Sequence, residues 1–382
     1  MPVKLCKKGI YIFSLLILFS CKQKEDYQIV RPKLSDQKIA LDTSYLEIQI
    51  DSNGLFEYPT SSYTQNGIYC GYNFKSNSLD FFDLIHKKQL FKSKLKTDSK
   101  IGYIAGCALI NTDSVFLLTD NSLLLANKKG EITKSTKINF DSQDPFFKKN
   151  YLIEFQRSRS FLYDPSKRKV IATNVNPKGM RETEDFNASP AVEIGINEKL
   201  NFEGIPISWS KLYQRGNYGY LIKPYLTSIQ ENLIVSFPID PNIYVYNENS
   251  KKLKVYGGSP DFKSSNPIPL PLDPKFIDDA DKKMMHLFEN INYGKIISEA
   301  DGRLHYRVIK SALTGEDKIK HDFSKRKNSL VVYNSKFEIV KVLDLNDYKY
   351  VVDAAFAIKD NLYIPCIRGA NNLRFKVFKF KI

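Results

Sequence analysis

Between Ser114 and Ile138 the chain reads SVFLLTDNSLLLANKKGEITKSTKI, with its apolar residues in short runs separated by polar turns. Residues 115–119 and 122–126 have strand length and are apolar at almost every position, and 131–138 follow as a third strand. Asp120-Asn121 and Asn127-Lys128-Lys129-Gly130 supply the residue types that make tight turns. A small antiparallel meander with two apolar faces cannot stand alone in water, so it has to stack between copies of itself. The stretch reads as one blade of a β-propeller.

The same grammar recurs along the chain. Residues 44–50 (SYLEIQI) alternate, 51–54 (DSNG) turn them, and 66–74, 79–85 and 89–95 form a meander ahead of the first. Residues 151–175 supply another, with Asp164-Pro165 at a turn between strands. Residues 176–210, broken by Pro177, Pro190 and Pro206, read as a long connection holding one or two strands. Residues 231–256, ENLIVSFPIDPNIYVYNENSKKLKVY, repeat strand, Asp/Pro/Asn turn, strand, Asn-rich turn, strand. Gly257-Gly258-Ser259-Pro260 and the IPLPLDP run at 268–274 read as loop, whereas 276–290 lack Gly and Pro and suit a short helix. A further copy spans 293–343 around a polar insertion at 314–328, and 361–382 give the last two strands.

These units number about six, at roughly 55 to 60 residues each, with seven as the second count. The fold class is therefore all-β, a propeller whose ring must join its ends. Residues 44–50 are expected to complete the blade begun by 361–382, which removes the exposed sheet edges that invite aggregation. A pair of β-sandwich domains is the competing architecture.

Residues 1–21, MPVKLCKKGIYIFSLLILFSC, have a basic start, an apolar run over 10–19 and a small residue before a cysteine. A run of about ten residues is too short for a membrane-spanning helix and has the length of a signal-peptide core. Leu18-Phe19-Ser20-Cys21 resembles a bacterial lipobox, with Phe19 bulkier than the usual residue. Residues 1–20 are thus expected to leave as a lipoprotein signal peptide and Cys21 to carry the lipid, with a plain cleavable signal as the alternative. Lys22-Gln23-Lys24-Glu25-Asp26 resembles the short acidic signal that exports lipoproteins of Bacteroidota to the outer face of the outer membrane. An outer-membrane lipoprotein is expected, at the cell surface in preference to facing the periplasm. A flexible tether over 21–42 then leads to a propeller domain over 43–382.

Composition agrees with many short strands: aromatics are 13% of the chain, with 25 Phe and 23 Tyr. The formal charge is +15, and removing Lys4, Lys7 and Lys8 with the signal leaves 54 basic side chains (57 less three) against 42 acidic ones. That balance suits a Lys-rich solvated surface, or a basic face toward an anionic membrane or polymer. Nucleic acid is not an expected partner, because no stretch couples clustered Arg and Lys to a recognition motif. Cys70, Cys107 and Cys366 remain beside Cys21, each in an apolar stretch. Three thiols cannot all pair, so buried free thiols are expected, and without C-x-x-C spacing there is no basis for a zinc or redox site.

The lipobox, SFPIDPNIYVYNENSKKLKVY (236–256) and FENINYGKIISEADGRLHYRVIK (288–310) resemble a family of uncharacterised lipoproteins of Bacteroidota expected to form six-bladed, TolB-like propellers. In that family the second segment carries a Tyr-Gly pair, an apolar strand, an acidic turn and a Tyr-Tyr-Arg strand. Tyr293-Gly294, Ile296-Ile297, Asp301-Gly302 and Tyr306-Arg307 take those places, and His305 stands where the first Tyr is usual. The resemblance implies the fold and the anchor; it brings no mechanism, because the family is a domain of unknown function.

Chemistry is sparse. His86, His286, His305 and His321 form no metal-ligand spacing, Asp278-Asp279-Ala280-Asp281 lacks the Gly and Glu of a calcium loop, and neither a G-x-S-x-G elbow nor a Gly-rich phosphate loop is present. Tyr293, His305, Arg307 and Arg368 lie in or beside apolar strands and are the candidate ligand-binding residues, since a buried Arg needs an anionic or strongly polar partner. An internal pairing between blades is the competing reading of the two arginines. No catalytic residue and no cofactor is assigned. The functional expectation is a monomeric, lipid-anchored envelope module that binds a peptide, protein or glycan. The alternative is a glycan lyase or hydrolase whose acid and base converge on the central channel.

Overall fold

The computed structural model describes residues 29–50, 60–96, 104–119, 122–138, 161–164, 167–174, 188–196, 200–260, 267–271, 279–345, 350–366 and 372–381, with Tyr58, Phe186 and Phe276 singly. Two N-terminal strands, β1 (Ile29–Val30) and β2 (Ala40–Gln49), precede the first full blade. Blade 1 comprises β3 (Thr60–Tyr63), β4 (Ile68–Asn73), β5 (Ser78–Asp83) and β6 (Lys88–Lys94). Blade 2 comprises β7 (Ile104–Asn111), β8 (Ser114–Thr119), β9 (Ser122–Asn127) and β10 (Ile132–Lys137). Blade 3 follows with β11 (Leu162–Asp164), β12 (Lys169–Thr173), β13 (Ala191–Ile196) and β14 (Leu200–Gly204). Blade 4 is β15 (Tyr225–Ile229), β16 (Asn232–Ser236), β17 (Ile243–Asn247) and β18 (Lys252–Tyr256). Blade 5 is β19 (Asn292–Ser298), β20 (Leu304–Lys310), β21 (Asn328–Asn334) and β22 (Ile339–Asp344). Blade 6 takes β23 (Phe356–Ile358), β24 (Asn361–Pro365) and β25 (Asn372–Lys381), and β2 as its fourth strand.

Six sheets, each an antiparallel meander, give the six-bladed propeller that the repeat grammar implies, so the seven-blade count and the paired sandwiches fall away. First strands of neighbouring blades touch one another around the axis, as β3 does β7 and β15 does β19. The apolar clusters lie between blades. Cys70, Leu79 and Phe81 of blade 1 pack on Cys107, Leu117 and Leu124 of blade 2, and Tyr306 and Val308 of blade 5 on Leu362 and Phe378 of blade 6. Each such side chain, buried on both sides of a sheet, contributes about 2 kcal/mol of transfer free energy. That burial explains why the strands read as nearly continuous apolar runs.

The turn between the third and fourth strands of a blade uses one device four times. The last residue of the third strand is Asp83, Asn127, Asn247 or Asn334, and its side-chain oxygen accepts from backbone N–H groups two to four residues on, at 2.8–3.0 Å. The turn then passes through a left-handed residue, Lys87, Gly130, Lys251 or Phe337. Asn and Asp do this because a short side chain can replace a backbone acceptor.

β2 closes the ring as expected. It pairs with β25 over ten residues, from Ala40 opposite Lys381 to Gln49 opposite Asn372. Residues 29–42, which the sequence reading gave to a flexible tether, are instead tied to the ring at several points. β1 lies parallel to β18 on the outer edge of blade 4, Leu34 bridges Ile339 of blade 5, and Ala40–Asp42 already belong to β2. Polar sequence and Pro32 hid this, because a strap on an outer edge needs backbone pairing and little burial. Cys21 lies outside the described residues.

The connections sort by face. In a four-stranded meander, the loops leaving the fourth strand and those joining the second and third strands emerge on one side, and the remaining turns on the other. The long described connections, 205–224, 257–291 and 311–327, all belong to the first side. They carry a helix α1 (Ala280–Glu289), a short helix α2 (Gly315–Ile319), and 3-10 turns at Lys211–Arg215, Gly219–Ile222 and Phe323–Lys325.

Candidate binding face

The insertions over blades 3 to 5 form one connected cap. α1 starts at Ala280 because the Asp279 carboxylate accepts from the Asp281 and Lys282 N–H groups at 2.9 and 3.0 Å. Its buried His286 donates from Nε2 to the Ile268 carbonyl at 2.6 Å, and the Asn290 side chain accepts from the Ile268 N–H at 2.9 Å. Leu270 pairs in turn with Asn217, so 267–271 are sewn between α1 and the 205–224 connection. Below them Trp209, Tyr213, Tyr218 and Phe237 pack as one aromatic cluster, edge to face in all but the tilted Trp209–Phe237 pair, which gives the cap a well-packed base.

The 311–327 insertion docks beside α1. Phe323 stacks on Phe288 at 4.0 Å between ring centres, and Lys318 pairs with Glu289 at 3.1 Å. Arg326 donates to the carbonyls of Ser311 and Asn290, both at 2.8 Å, and its burial pulls the guanidinium pKa down to about 10. Several large apolar side chains remain in water on this assembly: Tyr220, Ile268, Met284, Ile319 and Phe323. Ile319 and Phe323 belong to the polar insertion itself, and the other three to the connections beside it.

Three of the residues singled out from sequence lie inside the protein and not on this surface. Arg307 of β20 is completely buried at the seam of blades 4 and 5. It donates from Nε to Gly294 O at 3.0 Å, from one terminal nitrogen to Pro241 O at 2.5 Å, and from the other to Asp240 O at 2.9 Å. Tyr293, also fully buried, holds its ring 4.9 Å from the guanidinium carbon. The expected ligand role is therefore corrected to that of an internal clamp: carbonyls of the blade 4 turn take the place of the anionic partner. Burial lowers the guanidinium pKa, while Tyr333, Tyr293 and Asp240 act against that shift. The Asp240 carboxylate itself accepts from Ser210 at 2.5 Å, Tyr244 at 2.8 Å and the Asn242 N–H at 2.8 Å.

His305 lies two residues before Arg307 on β20, opposite Ser298 beside the β19–β20 turn. Its Nδ1 is 2.8 Å from Ser298 Oγ, its ring stacks on Phe337 at 4.4 Å, and burial depresses its pKa to about 4, so it is neutral at physiological pH. Across the sheet the Tyr306 hydroxyl donates to Glu299 at 2.5 Å, and burial raises the pKa of both groups. Glu299 is 1% exposed, closed in with its tyrosine. Arg368 lies outside the described residues. Cys70 and Cys107 are free and buried, and burial raises the Cys70 thiol. Among the described residues no group of three or more His, Cys, Asp or Glu could hold a metal ion, and no helix is long and apolar enough to cross a membrane.

Sequence reasoning found the polar insertion at 314–328 and the helix at 276–290 but read neither as part of a cap. The available signal was placement: both lie between strands that share one face of the ring, and that follows only once the blades are counted.

The fold has close structural counterparts. A protein from Bacteroides vulgatus superposes with a TM-score of 0.72 over 90% of this chain and 98% of its own, at 16% identity. A Bacteroides fragilis protein assigned to export superposes with a TM-score of 0.56 over 93% of this chain and 99% of its own, at 10% identity. The sequence has no match among curated proteins. The profile of the family described as domain of unknown function DUF4221, which includes the Bacteroides vulgatus protein, matches residues 35–341, and the chain belongs to that family.

Proposed function

We propose that the protein is a lipid-anchored envelope propeller that binds a peptide or protein partner on the capped face of blades 3 to 5. One observation carries this reading: the long described connections leave one side of the ring and expose Tyr220, Ile268, Met284, Ile319 and Phe323 there, whereas the turns of the other side are short. A propeller needs no such insertions to fold, and exposed apolar side chains held on a well-packed base favour a partner that covers them. The lipobox at Cys21 and the exported counterpart from Bacteroides fragilis support an envelope location.

The test is photo-crosslinking in intact cells expressing the full chain. A benzophenone side chain at Tyr220 or Met284 is expected to capture a discrete envelope partner, and one at Lys87 or Asp113 on the other turns is expected to capture none. Capture from all four positions alike, or from none, overturns the reading. In parallel, Cys21→Ser is expected to move the protein out of the membrane fraction, and unchanged membrane association would refute the anchor.

A further inference from the structure

A second surface lies away from the cap, on the rim between blades 1 and 2. Lys92 and Lys94 of β6 and Lys96 just beyond its end alternate and all face solvent, about 6.6 Å from one to the next where the chain is extended. The β9–β10 turn of blade 2 docks against this edge and adds Lys128 and Lys129, also exposed. The two walls flank a shallow, open groove of about 550 Å³ lined by Lys92, Ser93, Lys94, Leu95, Lys96, Lys128 and Lys129. Its geometry is fixed by backbone contacts: the Lys96 N–H donates to Gly130 O at 2.8 Å, and the Ser93 hydroxyl donates to Lys128 O. Gly130, at φ +77°, lies so close to the Lys94 carbonyl that a Cβ would not fit, so the approach of the two walls depends on glycine.

Charge in the groove is unbalanced. Lys96 pairs with Glu131 at 2.8 Å and Lys128 with Asp113 at 3.0 Å. Lys92, Lys94 and Lys129 form no close ion pair among the described residues, although Lys129 shares the field of Glu131, so five ammonium groups face two described carboxylates. Lysines on outer strands protect sheet edges in general, and β10 and β18 carry them too. What marks this edge is the second lysine-bearing wall, which turns a protected edge into an open cationic groove.

We infer that this groove binds an extended acidic polysaccharide. The lining has lysine point charges and no Arg fork, which suits anions repeated along a chain over planar, bidentate recognition of one carboxylate or phosphate. It holds no aromatic ring on which a nucleobase could stack. An added peptide strand would need the free backbone edge, and that edge is occupied at Lys96 by the neighbouring turn.

The test is affinity electrophoresis of the full chain in neutral detergent, with polygalacturonate in the gel and with dextran and single-stranded oligo-dT as comparisons. Polygalacturonate is expected to retard the protein at low salt and to lose much of its effect at about 200 mM salt, because exposed charges are screened there. Lys92→Glu, Lys94→Glu and Lys129→Glu together should weaken binding at least about tenfold. Lys134→Glu, Lys137→Glu and Lys252→Glu, exposed lysines of other outer strands with the same total charge change, should leave it within about twofold. No retardation by polygalacturonate, equal losses in the two triple variants, or tighter binding of oligo-dT overturns the inference.

Discussion

Arg307 points its guanidinium across the seam between blades 4 and 5, 4.9 Å from the ring of Tyr293, and spends its donors on the carbonyls of Gly294, Asp240 and Pro241, the first of which also accepts from the Ser236 hydroxyl at 3.3 Å. Two of those carbonyls, of Asp240 and Pro241, belong to the turn between β16 and β17. The residue thus locks the register of one blade against the next. Arg307→Lys keeps the charge but cannot span the carbonyls as a planar fork, leaving buried acceptors unmatched. The expected loss is about 3 kcal/mol in urea unfolding, on the scale of a broken buried charge contact. A loss under about 1 kcal/mol would show that the clamp is dispensable.

His305 makes stability depend on acidity. Its folded pKa, about 4, lies below the ordinary value near 6.5, so folding favours the neutral ring. Above pH 6.5 that contribution is complete; as pH falls toward 4 the unfolded chain takes up a proton the folded one refuses, and stability declines by roughly 3 kcal/mol. Urea midpoints at pH 7, 6 and 5 should fall in that order. His305→Gln should flatten the slope in part, since buried His286 is shifted in the same direction. An unchanged slope in that variant would assign the effect elsewhere.

Glu299 works in the opposite sense. Burial raises its pKa above the ordinary carboxyl value, so the folded state holds a proton that the unfolded chain releases, and stability is lost as pH rises from that ordinary value through the folded one. Glu299→Gln keeps an oxygen to accept from Tyr306 and removes the buried charge. The variant should therefore melt at a higher temperature than the parent at pH 8 and show little difference at pH 4. A lower melting point at pH 8 would mean that the carboxylate has a favourable partner at that seam.

The ring was legible in the sequence because each blade is buried on both faces: apolar runs and Asn-rich turns mark strands such as β8, β9, β16 and β17 without ambiguity. First strands were the weak point. β3 (Thr60–Tyr63) is only four residues, three of them polar, since the hydroxyl oxygens of an inner strand accept from its neighbour's backbone, as Thr60 does from the Cys107 N–H at 3.0 Å. Arg307 could be singled out as a buried cation but not assigned a partner, because backbone carbonyls leave no trace in residue type. The lysine groove was invisible for a different reason: Lys92 to Lys96 and Lys128-Lys129 are 32 or more positions apart, and only the packing of a turn on an edge brings them together.

The strap and the closing strand should differ sharply in what they contribute. Between residues 29 and 39 the chain touches the ring through Gly257 N–H to Val30 O at 2.8 Å, Ser35 N–H to Ile339 O at 2.8 Å and Ile339 N–H to Lys33 O at 2.8 Å, with Ile29, Val30 and Leu34 largely in water. Deleting 29–38 removes these bonds together with the β1–β18 pairing and the Lys33–Glu338 ion pair, and returns some chain entropy, so the expected cost is about 2 kcal/mol with two-state unfolding intact. Deleting 40–49 instead removes Leu46 and Ile48 from the core and uncovers Leu373 and Phe375 of β25 along an unpaired edge. That chain should fail to fold or should aggregate, because the ring then has two free ends. Size-exclusion chromatography and far-ultraviolet dichroism of both deletions decide the matter: a soluble, folded chain lacking 40–49 would mean that the ring does not depend on its N-terminal closure.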